Sequence, residues 1–463
     1  MDKNNGAIYD ARKLGKPKMI ILGVQHMFAM FGATILVPIL TGLDISTTLL
    51  MAGLGTLLFH CITKFKVPAF LGSSFAFLGG YAAIKAFSPN DPNSMLPYAC
   101  LGVACAGLIY FILAAVIKAV GIEKVMRFFP PVVTGPIIIA IGLGLAPSAV
   151  SNCTTNWFLA VVALAVIVVF NIWGKGMAKI IPIILGLLIS YGTGLVLYFI
   201  SQANPDLIQN VPWLFSGGAD ANGVYQPIFD FTSLNTICDN ISKGHIFGSE
   251  GLIGIPIHWD KTVFGGIDYS NGALIASSII AIVPIAFATM MEHIGDICAI
   301  SSTTGNNYIK DPGLHRTLVG DGLATTLASL FGGPANTTYG ENTGVLALTR
   351  VYDPRVIRIA AYFAVAVSFF PIVSVIIGSI PSCIIGGISF VLYGMISAIG
   401  VRNVVENKVD FTKSRNLIVA AVILVCALGL SSDTVSFTIG SAAITLSPLP
   451  VASIAGIVLK AVY

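Results

Sequence analysis

The chain is predicted to be an all-α polytopic membrane protein, and three observations predict it. Hydrophobic residues make up 56% of its 463 residues and charged residues 10%, with a mean hydropathy of +0.88, far more apolar than a soluble globular domain. Apolar runs of about 17 to 25 residues recur along the chain, separated by polar breaks. Lys and Arg gather in alternate breaks, as the positive-inside rule requires of a helical bundle with one orientation.

Apolar runs and polar breaks together place about fourteen spans. They lie near residues 19–42, 46–63, 67–87, 95–119, 130–149, 157–173, 178–201, 272–300, 317–333, 335–349, 356–379, 381–400, 415–431 and 437–459. The first 18 residues are polar and basic and run straight into the first span; with no short apolar h-region and small-residue cleavage site, no cleaved signal peptide is expected. With both termini cytoplasmic, 22 of the 25 Lys and Arg fall inside, and Lys85, Lys243 and Lys261 fall outside. Residues 202–271 form a long polar insertion with seven Asp or Glu against two Lys. It belongs outside, as a cover or an irregular loop.

Several chemistries are excluded. The eight cysteines show no CxxC and no His partner at metal spacing, so they read as small packing residues and no metal or cofactor is expected. Cys153 and Cys238 both face outside in this topology and could form a disulfide. The chain has no GxxxxGK[ST] and no soluble segment of nucleotide-binding size, which excludes a nucleotide-driven pump. It also lacks HExxH and GxSxG, so it does not read as an enzyme. No nucleic-acid partner is expected; the lipid bilayer is.

The two halves echo each other. Gln25-His26 in the first span has a counterpart in Glu292-His293 in the eighth, 267 residues on, and Pro68-Ala69 has one in Pro334-Ala335, 266 on. Pro131 to Gly135 resembles Pro381-Ser-Cys-Ile-Ile-Gly386. Matches in consistent order between two sets of seven spans favour a duplication, and an odd number of spans per half inverts one half relative to the other. The third and tenth spans begin Pro68-Ala-Phe-Leu-Gly-Ser-Ser-Phe75 and Pro334-Ala-Asn-Thr-Thr-Tyr-Gly-Glu341. Neither sequence favours a helix, because Pro removes a donor, Gly loosens the backbone, and Ser, Thr and Asn offer competing hydrogen bonds. Broken spans at equivalent places of two halves point to a binding site, with backbone groups near Phe75 and Gly340 offered to a small polar solute.

Within these spans Glu292 and Glu341 are the leading candidates, since charge at membrane depth is costly and marks a substrate or proton site. Glu341 could also cap the helix that starts there, which does not exclude ligand binding. Asp296, one helical turn after Glu292, shares its face. The pair is either a proton carrier or an arrangement in which Asp296 bonds a hydroxyl or the backbone. His26 reads as a satisfied core histidine or a proton relay. His293 points away from Glu292 and reads as structural, and Asp321 could be a helix-end group.

At these residues a family resemblance appears. Met291-Glu-His-Ile-Gly-Asp296, Lys310-Asp-Pro-Gly-Leu-His-Arg316, Asn336-Thr-Thr-Tyr-Gly-Glu-Asn-Thr-Gly344, Gln25-His-Met-Phe-Ala-Met-Phe-Gly-Ala-Thr34 and Gly72-Ser-Ser-Phe-Ala-Phe77 closely resemble the nucleobase and ascorbate transporter family, in its uracil permease branch. Purine-carrying relatives typically have Gln in place of the second Glu, so Glu341 argues for uracil over xanthine. The resemblance implies a 7+7 inverted repeat with short strands in broken spans three and ten. It also implies a division into a cytoplasmic N-terminus (1–18), a core domain (19–128 and 272–380), a gate domain (129–201 and 381–463) and the outer insertion (202–271). Glu292 matches the main substrate-anchoring carboxylate and Glu341 the second. Phe75 and Gly340 match the main-chain donors, and Ala33 and Tyr339 match residues lining the pocket. Some members have His where this chain has Asp296, and that His is tied to proton coupling, so Asp296 or Glu292 alone would carry the proton here. The function implied is proton-coupled uracil uptake across the plasma membrane, in a homodimer joined through the gate domains.

Overall fold

The computed structural model describes residues 7–121, 124, 130–430, 435–439, 442–446 and 448–462. Helices α1 (Lys16–Thr41) and α2 (Ile45–Ile62) lead to strand β1 (Leu71–Ser73) and helix α3 (Leu78–Lys85). Then come α4 (Leu96–Val120), α5 (Pro131–Cys153), α6 (Trp157–Trp173) and α7 (Pro182–Ala203). The polar insertion carries strands β2 (Ser216–Ala219) and β3 (Tyr225–Pro227) and helix α8 (Thr232–Ser242). After it follow α9 (Gly272–Ile282), α10 (Ala286–Thr304), α11 (Leu314–Leu330), strand β4 (Asn336–Thr338), α12 (Gly340–Thr349), α13 (Pro354–Ser368), α14 (Pro371–Gly378), α15 (Ser382–Glu406) and α16 (Ser414–Gly429). Strands β5 (Val435–Ile439) and β6 (Ala442–Leu446) precede α17 (Pro448–Val462).

Among the described residues seven helices are long and apolar enough to cross a membrane, or eight if α13 and α14 are one span. The interruptions follow local chemistry. Pro371 lacks an N–H and disfavours helix in the residue before it, which parts α14 from α13. Pro284 does the same between α9 and α10, where a short 3₁₀ turn intervenes. Asp44 caps α2 by accepting from the Thr47 N–H at 2.8 Å, and Asn156 caps α6 through the Leu159 N–H at 3.1 Å.

One sequence expectation is corrected. The last expected span, 437–459, is not one helix: β5 and β6 pair antiparallel and α17 starts only at Pro448. The stretch Val435-Ser-Phe-Thr-Ile439 alternates apolar and polar residues, a strand signal that an average over hydropathy conceals. Cys153, buried at the end of α5, and Cys238, exposed on α8, are both free cysteines.

The chain divides into two compact units. One comprises Met1–Ile141, Pro256–Ser368 and Ser397–Tyr463, the other Gly142–Ile255 and Phe369–Ile396. In the first, α4 packs on α11, and α13 packs on both α1 and α2. The α4–α11 approach is backbone to backbone: a Cβ on Gly107 would come within 2.6 Å of the Gly322 carbonyl oxygen, and one on Gly322 within 2.6 Å of the Gly107 oxygen. Small residues are what let membrane helices come this close. In the second unit α6 packs on α7. There the insertion is fastened by Phe229, whose ring meets Tyr191 at 4.8 Å and stacks on Phe231 at 5.2 Å, and by the Asn156 amide, which donates to the Ser216 carbonyl at 2.9 Å.

Candidate functional site

The site is built on a two-stranded antiparallel sheet at the centre of the first unit. Strand β1 pairs with β4 in the register Leu71 with Thr338, Gly72 with Thr337 and Ser73 with Asn336. The ladder continues one bond at each end, from Ser74 N–H to Ala335 O at 2.9 Å and from Tyr339 N–H to Phe70 O at 3.0 Å. In an apolar surround a pair this short leaves its outer edges to be satisfied by something else. Hydroxyls from flanking helices do so. Thr56 of α2, which donates to the Ala52 O of its own helix at 2.8 Å, accepts from the Leu71 N–H at 3.0 Å, while Thr325 of α11 donates to the Asn336 O. The Asn336 amide in turn donates to the Met51 O of α2 at 2.8 Å.

The register puts Phe75 and Gly340 at opposite ends of the sheet, each where a strand gives way to helix. The ring of Tyr339 lies along the sheet between those ends. It covers Gly72, where a Cβ would come within 2.6 Å of it, and its hydroxyl donates to the Ser73 O at 2.8 Å. Ala33 is buried in α1. Its neighbour Thr34 donates to the Tyr339 hydroxyl at 3.3 Å and accepts at its carbonyl from the Ser73 hydroxyl at 3.1 Å. Tyr339, Thr34 and the β1 backbone are thus one assembly.

Helix α10 sorts its residues by angle. At 100° per residue Glu292, Gly295 and Ala299 share one side and are exposed, while His293, Ile297, Ile300 and Thr304 share another and are buried. Asp296 is half-buried between the two. Its Oδ2 accepts from the Thr338 hydroxyl at 3.0 Å, and its Oδ1 lies 3.4 Å from where a Gly340 Cβ would stand. A carboxylate therefore sits at the N-terminus of α12, where the helix dipole favours negative charge. The Glu341 backbone is the next position of α12, but its side chain lies outside the described residues. His26, fully buried in α1, is met at Nδ1 by the Asn342 amide at 3.3 Å.

Sequence reasoning missed a polar chain behind this site. Asp321 is not a helix-end group: it is fully buried inside α11, and its Oδ1 stands 3.4 Å from Nδ1 of His293, also fully buried. Thr338 Oγ1 lies 3.3 Å from the same Nδ1. Asp296, Thr338, His293 and Asp321 form one continuous line of polar groups. The legible signal was Asp321 between Gly320 and Gly322 in an otherwise apolar run; its partner was not legible. Among the described residues no cluster of three or more His, Cys, Asp or Glu could hold a metal ion.

Residues 17–435 match the sequence model of the Permease family. The chain belongs to this family, the nucleobase and ascorbate transporter family of the sequence resemblance. The uracil permease of Bacillus caldolyticus is 37% identical over 421 residues, which cover 89% of this chain and 85% of that one. The uracil permease of Bacillus subtilis (strain 168) is 37% identical over 454 residues, covering 95% and 91%. Members of the family are transporters, and this chain is a multi-pass membrane permease, not an enzyme. Among solved structures, the transmembrane domain of the cyanobacterium bicarbonate transporter BicA matches with a TM-score of 0.58 at 12% identity, over 97% of this chain and 99% of its own. SLC26A9 matches with a TM-score of 0.54 at 11% identity, over 98% and 66%. These likenesses show a shared fold and carry nothing about cargo.

Proposed function

We propose that this permease carries uracil together with a proton into the cell, by alternating access of a core domain against a gate domain. The observation that carries the reading is the match to uracil permeases across nearly the whole of both chains. The site supports it. Uracil is a planar ring with two N–H donors and two carbonyl acceptors, which complements carboxylates facing backbone amides. Glu292 on the accessible side of α10 is the anchoring carboxylate and Glu341 the second. Backbone N–H groups at Phe75 and Gly340 are the donors, and Ala33 and Tyr339 line the pocket. Glu292, Asp296 and His26 are the groups through which proton and uracil occupancy are linked.

The architecture proposed with it is about fourteen spans in a 7+7 inverted repeat, with both termini cytoplasmic in the plasma membrane and a homodimer joined through the gate domains. Antiparallel pairing of two segments that each read Pro-Ala, strand, then helix supports the inverted relation. The core is residues 19–128 and 272–380 and the gate 129–201 and 381–463, with 202–271 as the outer cover. One proton charge moving through 100 mV contributes about 2.3 kcal/mol, enough for roughly fifty-fold accumulation.

The test is uptake of labelled uracil in cells lacking their own permease, with and without a protonophore, and with excess xanthine. Uptake that collapses with the protonophore and ignores xanthine is the expected result. Competition by xanthine would move the cargo to purines, and indifference to the protonophore would remove proton coupling. Glu292→Gln is expected to abolish concentrative uptake; wild-type accumulation in that variant would strike Glu292 from the mechanism.

A further inference from the structure

We infer that residues 8–12 form a strap that positions the binding site from the far ends of its two helices. Helices α10 and α12 pack together at the site, where Thr338 donates to Asp296 and a Cβ on Gly340 would stand 3.4 Å from its other oxygen. At their other ends, Thr304 and Thr349, the N-terminal segment joins them. The Tyr9 hydroxyl donates to the Thr304 O at 2.7 Å, taking up one of the carbonyls that the end of α10 leaves without an intrahelical partner. Ile8 pairs with the turn that follows α12: its N–H donates to Arg350 O and its carbonyl accepts from Tyr352 N–H, both at 2.8 Å. The Ala11 N–H donates to Asp353 Oδ2 at 2.7 Å, and Arg355 donates to Asp10 Oδ1 at 2.9 Å. Ala11 is fully buried against Val351 and Val356, with Ile8, Leu14, Met19 and Leu22 around them, and the Tyr9 and Tyr352 rings meet edge to face at 5.5 Å.

This is a seated segment, bonded to the end of α10 and to the turn that leaves α12, with no room for a larger residue at Ala11. Helix α12 is ten residues long, about 15 Å, and too short to bend, so a shift at Thr349 reappears at Gly340. The strap thereby fixes the distance between the Gly340 backbone and the carboxylates of α10. Tyr9, Ala11 and Asp353 are positioning residues: they act through α10 and α12 and touch no substrate.

The inference rests on the uracil reading, and its test separates the two. Uracil affinity of the purified full-length protein is measured beside uptake KM and Vmax for wild type, Ala11→Phe, Ala11→Gly and Tyr9→Phe. Unseating the strap in Ala11→Phe is expected to raise Kd and KM about tenfold, and loss of one hydrogen bond in Tyr9→Phe about threefold. Vmax per transporter in the membrane is expected to hold, and Ala11→Gly, which fits the same space, to behave as wild type. Tyr9→Phe removes a single oxygen and keeps the test decisive if Ala11→Phe fails to fold. Unchanged Kd in the variants while wild type binds uracil would overturn the strap alone. Wild type that binds no uracil would overturn the uracil reading and the strap with it.

Discussion

The two broken spans share a plan and differ in chemistry. Each begins with Pro-Ala, forms a three-residue strand and turns into a short helix. Strand β1 presents Leu71, Gly72 and Ser73, and its polar bonds run to neutral partners, the Thr56 hydroxyl and the Thr34 carbonyl. Strand β4 presents Asn336, Thr337 and Thr338, and its hydroxyls face carboxylates, Thr338 on Asp296 and Thr337 at 3.5 Å from Asp321. The corresponding histidines differ in the same sense. His26 meets a neutral amide, Asn342, whereas His293 meets Asp321. The first strand supplies shape and backbone; the second is wired to acidic groups. A buried acid is costly unless partnered, so the half that carries the charge also carries the hydroxyls that hold it.

That contrast can be broken or sharpened by substitution. The largest effect is expected at the acidic residue facing His293. Asp321→Ala removes a buried acid that faces His293 and Thr337 and should cost about 1.5–3 kcal/mol, against about 0.5–1.5 kcal/mol for Asn342→Ala beside His26. Denaturant or thermal unfolding of the purified variants compares them directly, and equal costs would erase the distinction. Next are the two residues paired across the sheet. Gly72→Ala drives a methyl into the Tyr339 ring and should cost about 1–3 kcal/mol, while Thr337→Ala removes one long hydrogen bond and should cost about 0.5–1.5 kcal/mol or less. If Gly72→Ala unfolds like wild type, the Tyr339 ring is free to move and is no part of a fixed pocket.

The smallest effect concerns the exposed approach to β1, where Lys66 pairs with Asp311 at 2.5 Å. The hydrogen bond from Lys66 holds the Asp311 carboxyl below its usual value near 3.8. A depressed carboxylate contributes stability above its unfolded pKa and loses it as pH falls through the folded one. Both partners are exposed, so solvent screens the pair. Lys66→Ala is therefore expected to leave unfolding unchanged in its pH dependence from neutrality down to about pH 4, and to differ from wild type only in more acidic buffer. A difference centred on neutral pH would place another titrating group at Lys66.

Much of the frame was legible because hydropathy is local. The expected span 157–173 coincides with α6, and the Pro-Ala breaks mark where β1 and β4 begin. The accessible side of α10 with Glu292 and Asp296 also follows from helical spacing. What was not legible depended on partners distant in sequence. Asp321 looked like a helix-end group because nothing near it in the chain shows that His293 lies opposite. The strands at 435–446 were lost because a mean over many residues is blind to alternation.

By itself, then, the sequence determined a multi-pass permease with broken spans and acidic groups within them, since burial cost, proline geometry and motif identity all act over a few neighbouring residues. The tertiary structure decided which groups meet: β1 with β4, Thr338 with Asp296, His293 with Asp321, and Tyr9 with the end of α10. Those pairings join residues as much as 295 positions apart, and electrostatic and hydrogen-bonding energies depend on distance through space, which no local pattern encodes.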